Sequence, residues 1–389
     1  MTIADFSFAR MPEIHFGPGK LSLLPQRIAS YGKTALLLTG GASFARSEAC
    51  ARLTGALDRA GIRLFRASVA GEPSPDFVDA TVARHRAEAI DCVVGIGGGS
   101  VLDAGKAVAA MLPQDGSVVP YLECVATRKH DGRKLPYIAV PTSSGTGAEA
   151  SKNAVLGSVG REGYKSSLRH DRFVPDVALV DPELTLGCPP QVTAACGLDA
   201  LTQLLEAYVS SKASPITDAL ALSGLAHVAA GFLPACENGR EDLAARSHMA
   251  YAALLSGVVL ANAGLGVVHG LAGPIGGFFP IPHGVACGTL IGVATRINIE
   301  ALRRDAAGNR AALEKYARAG ALLSGEEAAG EDAGCESLLR VLERWIAAAG
   351  IARLSAYGVS RDDFPRILDK SNNKNSPVTL AREQMQAIL

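Results

Sequence analysis

Three residues of metal-binding type lie far apart in the chain: Asp199 in GLDALTQ, His269 in GVVHGLAG and His283 in PIPHG. A carboxylate and two imidazoles can hold Zn2+ or Fe2+ and leave a coordination position for a substrate oxygen. Gln203 stands four residues after Asp199, so a helix there would present both on one face. Each histidine alone also suits a hydrogen-bonded core residue or a helix start after a proline. No tight pair such as H-x-x-x-H decides between these readings.

A second group of residues suits a dinucleotide. Gly97-Gly98-Gly99-Ser100 falls between an apolar strand run, Cys92 to Ile96, and a helical stretch, Leu102 to Met111. Glycines there let the backbone approach a pyrophosphate, and the helix N-terminus turns free N–H groups toward it. Ser100 adds a hydroxyl donor or a cap. Asp103 and Lys106 follow on that helix. Turn geometry alone is the other reading of such glycines. The motif is neither a P-loop nor a G-x-G-x-x-G after the first strand. Pro141-Thr142-Ser143-Ser144-Gly145-Thr146-Gly147 also follows a strand run. Its small hydroxyl residues suit the diphosphate and nicotinamide ribose, or equally a turn with a helix N-cap. A nucleophilic serine is not expected, because the G-x-S-x-G elbow is missing.

Positioning these groups requires two kinds of architecture. Up to about Pro190 short apolar runs alternate with helical patterns: Thr34 to Leu38, Ile62 to Phe65, Cys92 to Ile96, Tyr137 to Val140 and Val177 to Val180. This pattern predicts a mostly parallel sheet covered on both faces, a doubly wound α/β domain over 1–187. Beyond Pro189-Pro190, Ala/Leu-rich stretches with helical spacing predict an all-helical domain over 188–389. Gly325 to Gly334 is acidic and rich in small residues, and reads as a solvated loop. The formal net charge is zero, which offers no attraction to nucleic acid or an anionic membrane. No run of about 18 uninterrupted apolar residues predicts a membrane span, and the N-terminus lacks a signal-peptide pattern. The eight cysteines include no C-x-x-C pair, so they read as reduced, small hydrophobes in a cytoplasmic protein. Asn153, Leu156, Phe278 and Phe279 are candidate cleft residues that favour a small, partly apolar ligand.

Taken in order, these motifs resemble the iron-containing (group III) alcohol dehydrogenases, relatives of glycerol dehydrogenase and dehydroquinate synthase. The likeness runs from Phe16-Gly17-Pro18-Gly19-Lys20 through GGGSVLDAGKAVA, PTSSGTGAEAS, DPEL at Asp181 to Leu184, GLDALT and the His269–His283 stretch. It ends in Asn375-Ser376-Pro377. The resemblance implies a dinucleotide-binding α/β domain, a helical domain and an active site in the cleft between them. It implies pyrophosphate contacts at Gly97, Gly98 and Ser100, and nicotinamide-side contacts at Thr142, Thr146 and Lys165. Gly40, Ser43, Asp103 and Ser143 complete the expected NAD(P)H-binding set. The family metal is held by an aspartate and three histidines, and Asp199, His269 and His283 match three of those positions. A homodimer is implied as well.

Three departures modify that expectation. Gln203 stands where the family usually has its third histidine, so it is expected as a weaker ligand beside Fe2+ or Zn2+. Gly273 replaces a histidine that many members use for proton transfer. Gly40-Gly41-Ala42-Ser43 lacks the acidic residue that many NAD-dependent members carry after the first strand. Without that carboxylate a 2′-phosphate is not repelled, and Ser43 and Arg46 are placed to meet it. The expected reaction is hydride transfer between NAD(P)H and a small aldehyde, alcohol, keto acid or hydroxy acid, with His269 and His283 at the reacting oxygen. Rival readings are a metal-independent enzyme like maleylacetate reductase, a lyase like dehydroquinate synthase, and a non-catalytic nucleotide-binding protein.

Overall fold

The computed structural model describes residues 5–41, 43–327 and 329–389. Its sheet is parallel, in the order β1 (Glu13–Phe16), β8 (Val177–Val180), β5 (Tyr137–Pro141), β4 (Cys92–Gly97), β2 (Thr34–Gly40), β3 (Arg63–Val69). The central strands are apolar on both faces because both faces are covered. Along β2 the side chains alternate with period two. Leu36 and Leu38 join one core with residues of α3 (Pro75–His85) and α4 (Gly99–Met111). Ala35 and Leu37 join the opposite core, with α1 (Leu24–Ala29) and α2 (Glu48–Arg59).

The strand order reverses between β2 and β4, since β3 lies outside one and β5 outside the other. Ligands of such sheets bind beyond the carboxyl ends of the strands at this switch point. Gly40 ends β2 and Gly97 ends β4, so both fall at that crevice. The FGPGK and DPEL motifs are structural partners at the other side of the sheet. Asp181 accepts hydrogen bonds from the backbone N–H groups of Gly19 (3.1 Å) and Leu21 (2.9 Å).

An antiparallel hairpin, β6 (Asn153–Ser158) and β7 (Tyr164–Arg169), forms a second small sheet that the sequence patterning did not reveal. From residue 190 onward the described residues are helical or irregular. The helices are α5 (Pro190–Tyr208), α6 (Pro215–Asn238), α7 (Leu243–Ala263), α8 (Val267–Phe278), α9 (His283–Arg303), α10 (Ala306–Ser324), α11 (Glu331–Ala349), α12 (Phe364–Lys370) and α13 (Arg382–Gln386). Helix α5 is central and packs on α6, α7 and α9. The acidic loop is shorter than expected, because Glu331 and Asp332 form the first turn of α11. Carboxylates favour that position beside the partly positive helix end.

Helices α6, α7 and α9 are long and apolar enough, by length and composition, to cross a membrane. A search for an uninterrupted apolar run misses them because isolated polar residues interrupt each one. In this fold their apolar side chains pack into shared helical cores, including Val228 and Phe232 of α6 and Val259 of α7.

The two halves of the chain meet at the glycine-rich loop after β5. Gly147 has a left-handed φ of +59°, and a Cβ there would lie 2.3 Å from the Gly257 nitrogen of α7. The side-chain hydroxyl of Ser256 donates to the Gly145 carbonyl at 3.3 Å.

Candidate functional site

Helix α5 is amphipathic in an unusual sense, because both of its faces are buried. Leu198, Leu201, Leu204 and Leu205 enter the helical core. Asp199, Gln203 and Glu206, spaced by four and three residues, point to the cleft side yet are nearly enclosed, at 2%, 2% and 8% exposure. Burying a leucine stabilises by about 1.5–3 kcal/mol, while one buried polar atom without a partner costs about 1–3 kcal/mol. Asp199 Oδ1 and Gln203 Oε1 are both buried without a hydrogen-bond partner. The apolar face of α5 therefore supports a polar face that is incomplete by itself.

Two further helices bring their ends to this face. Gly264, left-handed at φ +68°, closes α7, and Gly266 caps α8. The Asn375 side-chain amide donates to the Leu265 carbonyl at 3.2 Å, so the Asn-Ser-Pro motif braces the turn that aims His269. His269 Nε2 lies 3.4 Å from Asp199 Oδ1, and His283 Nε2 lies 3.7 Å from the same oxygen. His283 is the first residue of α9, and Cys287 lies one turn further on. Cys287 Sγ is 3.7 Å from each of these two Nε2 atoms. One donor atom each from Asp199, His269, His283 and Cys287 all fall within 4.8 Å of one another.

Glu206 organises this cluster from behind. Its Oε2 accepts from His269 Nδ1 at 2.6 Å, and its Oε1 accepts from the Val268 N–H at 2.7 Å. With Nδ1 carrying the proton, Nε2 presents its lone pair to the centre of the cluster. The charges respond to one another. Burial alone would lower His269, yet Cys287, Asp199 and Glu206 push it well above its ordinary value. Burial would raise Asp199, but His283, His269 and the Gln203 amide hold it below the usual carboxylate range. Burial would likewise raise Cys287, but the two imidazoles bring it down. The anionic groups and orphaned buried oxygen that draw positive charge onto the two imidazoles fit a divalent cation, whose binding would displace the Nε2 protons.

The cluster opens into a cleft of about 810 Å3 whose lining includes Ser100, Asp103, Thr146, Lys165, Gln203 and His283. Helix α4 starts at this cleft with no side-chain cap, which leaves its first N–H groups free. A Cβ on Gly97 would lie 2.5 Å from Val101, and one on Gly99 would lie 2.8 Å from Thr146. Only glycine fits at either position. The Thr142 N–H donates to the Gly97 carbonyl at 2.9 Å, and the Ser143 hydroxyl faces Gly98. The expected cofactor-binding residues of both glycine loops thus come together.

Asp103 and Lys165 line the cleft and also hold protein partners. Asp103 accepts from the Val155 N–H at 3.0 Å, and burial raises its carboxyl to about 6 against the pull of Lys106. Lys106 is fully buried and donates to Ala148 O, Ser151 Oγ and Asn153 O, tying α4 to the second glycine loop. Lys165 pairs with Glu72 at 3.2 Å at the cleft edge. Ser43 and Arg46 are exposed beyond the end of β2, and Ala42 lies outside the described residues. Nothing lies within 4 Å of the position a Cβ on Gly273 would take, and Gly273 lines the cleft. Of the apolar candidates, Phe278 lines the cleft with Asn153. Leu156 and Phe279 instead belong to hydrophobic cores, because alternate positions on a strand or helix end face opposite ways.

Two residues of the cluster escaped the sequence reading. Glu206 follows Asp199 by seven residues, a spacing that places both on one helix face. Cys287 follows His283 by four, an H-x-x-x-C pattern hidden by treating all cysteines as inert. The structure has them as free thiols among the described residues.

The family model described as "Iron-containing alcohol dehydrogenase" matches residues 12–182. That of the "Fe-containing alcohol dehydrogenase family, C-terminal" matches residues 193–389. Long-chain-alcohol dehydrogenase 1 of Geobacillus thermodenitrificans is 38% identical over 75% of this chain and 72% of its own. The crystal structure of a 1,3-propanediol oxidoreductase superposes with a TM-score of 0.87 at 31% identity, over 99% of each chain. Sulfoacetaldehyde reductase from Bifidobacterium kashiwanohense, solved in complex with NAD+, superposes with a TM-score of 0.83 at 27% identity, over 98% of this chain and 97% of its own.

Proposed function

This chain belongs to the iron-containing alcohol dehydrogenase family, and we propose that it reduces a small aldehyde with a nicotinamide dinucleotide at the cleft between residues 1–187 and 188–389. It is an oxidoreductase of the alcohol dehydrogenase and aldehyde reductase class. In this reading the dinucleotide pyrophosphate sits over Gly97, Gly98 and Ser100, where uncapped N–H groups and missing side chains favour it. Thr142, Ser143 and Thr146 border the nicotinamide side.

Asp199, His269 and His283 hold a divalent metal, iron in the family's name. When bound, the metal supplies electrophilic stabilisation of the substrate oxygen as charge develops on it. Glu206 fixes the His269 tautomer so that Nε2 stays available. Gly273 leaves open space in the cleft wall, and water entering there replaces the side chain that would otherwise deliver a proton. Because no carboxylate ends β2 at Gly40, NADPH is accepted as well as NADH, with Ser43 and Arg46 beside the 2′-phosphate. The observation that carries the reading is the convergence of Asp199, His269 and His283 on one point, with a buried Asp199 oxygen that has no other partner.

Initial rates of NADH and NADPH oxidation against small aldehydes and keto acids, with added Fe2+ and after chelation, test it. His283→Ala should lower turnover by about 10²–10³-fold while dinucleotide affinity, read by fluorescence, stays unchanged. Full turnover in that variant would remove the cluster from the mechanism.

A further inference from the structure

Gln203 stands where the family has a histidine donor and is expected from the sequence as a weaker fourth ligand beside Asp199, His269 and His283. We propose that the Cys287 thiolate is the fourth ligand, so that the metal is held by Asp199, His269, His283 and Cys287, with Gln203 outside the coordination sphere and the substrate oxygen entering as a fifth ligand from the cleft. This inference rests on the metal reading of the cluster given above.

Geometry supports the assignment. In a tetrahedral centre with metal–nitrogen and metal–oxygen bonds of about 2.0–2.1 Å and a metal–sulfur bond of about 2.3 Å, nitrogen and oxygen donors stand about 3.4 Å apart and sulfur stands about 3.6 Å from nitrogen. The two oxygen–nitrogen separations are 3.4 and 3.7 Å. Both sulfur–nitrogen separations are 3.7 Å. Four of the tetrahedron's edges are therefore in place before any ion enters.

The surroundings point the same way. Cys287 is fully buried, and its sulfur meets two imidazole nitrogens instead of packing as an inert hydrophobe. His283 and Cys287 share one face of α9, a turn apart, so one helix delivers both donors. Asp199, 2% exposed, aims an unpartnered oxygen into the same space. Gln203 Oε1 is also buried without a partner, but a neutral amide oxygen holds a soft or borderline ion more weakly than a thiolate does. Two anionic donors neutralise a divalent charge, and the thiol proton leaves to solvent as the ion binds. A thiolate also shifts preference toward soft or borderline ions over hard ones.

Cobalt titration of the metal-free, full-length protein reads this directly. The wild type should develop an intense near-ultraviolet sulfur-to-cobalt charge-transfer band together with visible ligand-field bands. Cys287→Ser should lose the near-ultraviolet band, keep dinucleotide binding, and bind Zn2+ at least tenfold more weakly in chelator competition, with Mn2+ affinity changed less than threefold. Gln203→Ala should keep the band. Visible bands without the charge-transfer band in the wild type would overturn the thiolate ligand while leaving the metal reading intact. A band that persists in Cys287→Ser would also overturn it. A wild type that binds no cobalt would overturn both.

Discussion

At the end of the cleft proposed for the dinucleotide, the wall is made of backbone: glycines whose missing side chains clear a path, and helix N–H groups with no cap. At the metal end it is made of side chains drawn from α5, α8 and α9. The first kind of site depends on what is absent, and a side chain at Gly97 or Gly99 would obstruct it. The second depends on several long-range placements holding together, and it fails when one support is withdrawn. The two ends should therefore respond to substitution separately, one through dinucleotide binding and the other through metal binding.

The largest expected effect comes from withdrawing a support behind the metal. Glu206→Gln keeps the shape but not the charge that orients His269. Metal affinity should fall about 10–100-fold, measured by chelator competition, with NADH affinity unchanged. Equal losses at both ends would break the separation drawn here. A smaller effect should follow from adding a side chain at the other end. A Cβ on Gly40 would stand 3.6 Å from Val101, an ordinary contact, so Gly40→Asp fits. It should lower kcat/KM for NADPH by roughly tenfold relative to NADH, through repulsion of the 2′-phosphate, and leave metal content as it was. Unaltered coenzyme preference would place the 2′-phosphate away from the end of β2.

The smallest effect concerns Glu149, buried in the glycine-rich loop after β5. Burial, against the pull of Lys106, raises the Glu149 carboxyl to about 7. A carboxyl raised in the fold holds its proton there more tightly than in the unfolded chain. It contributes stability that is complete below its ordinary 4.5 and is lost as pH climbs through about 7. Glu149→Gln should remove that loss and raise the melting temperature above pH 7 by a few degrees relative to wild type. Parallel melting curves for the two proteins from acid to neutral pH would show that Glu149 does not titrate in this window.

Legibility in the sequence followed the same division. The central strands were readable because each is a short apolar run, and the glycine loops because their chemistry is local to a few consecutive residues. The hairpin β6–β7 was not, since Asn153–Ser158 and Tyr164–Arg169 carry no strong alternation and are half covered by α4 and α8. At the metal end Asp199, His269 and His283 stood out by residue type and motif. Glu206 and Cys287 did not, because their importance arises only when α5, α8 and α9 cross. Asp103 and Lys106 belong to a strong motif, yet Lys106 serves the fold beneath the cleft. A motif identifies a neighbourhood more reliably than the duty of each member.

The contact of Gly147 with Gly257 sets a dimension. A Cβ on Gly257 would sit 2.0 Å from the Gly147 carbonyl oxygen, so even one methyl group would act as a shim between the loop and α7. In the proposed reading the loop borders the dinucleotide, and α5, packed on α7, carries Asp199. Reacting atoms must come within about 3–3.5 Å, and a displacement of about 1 Å can cost 10²-fold in rate. Two residues with no side chains thus gauge the width of the gap that a hydride must cross.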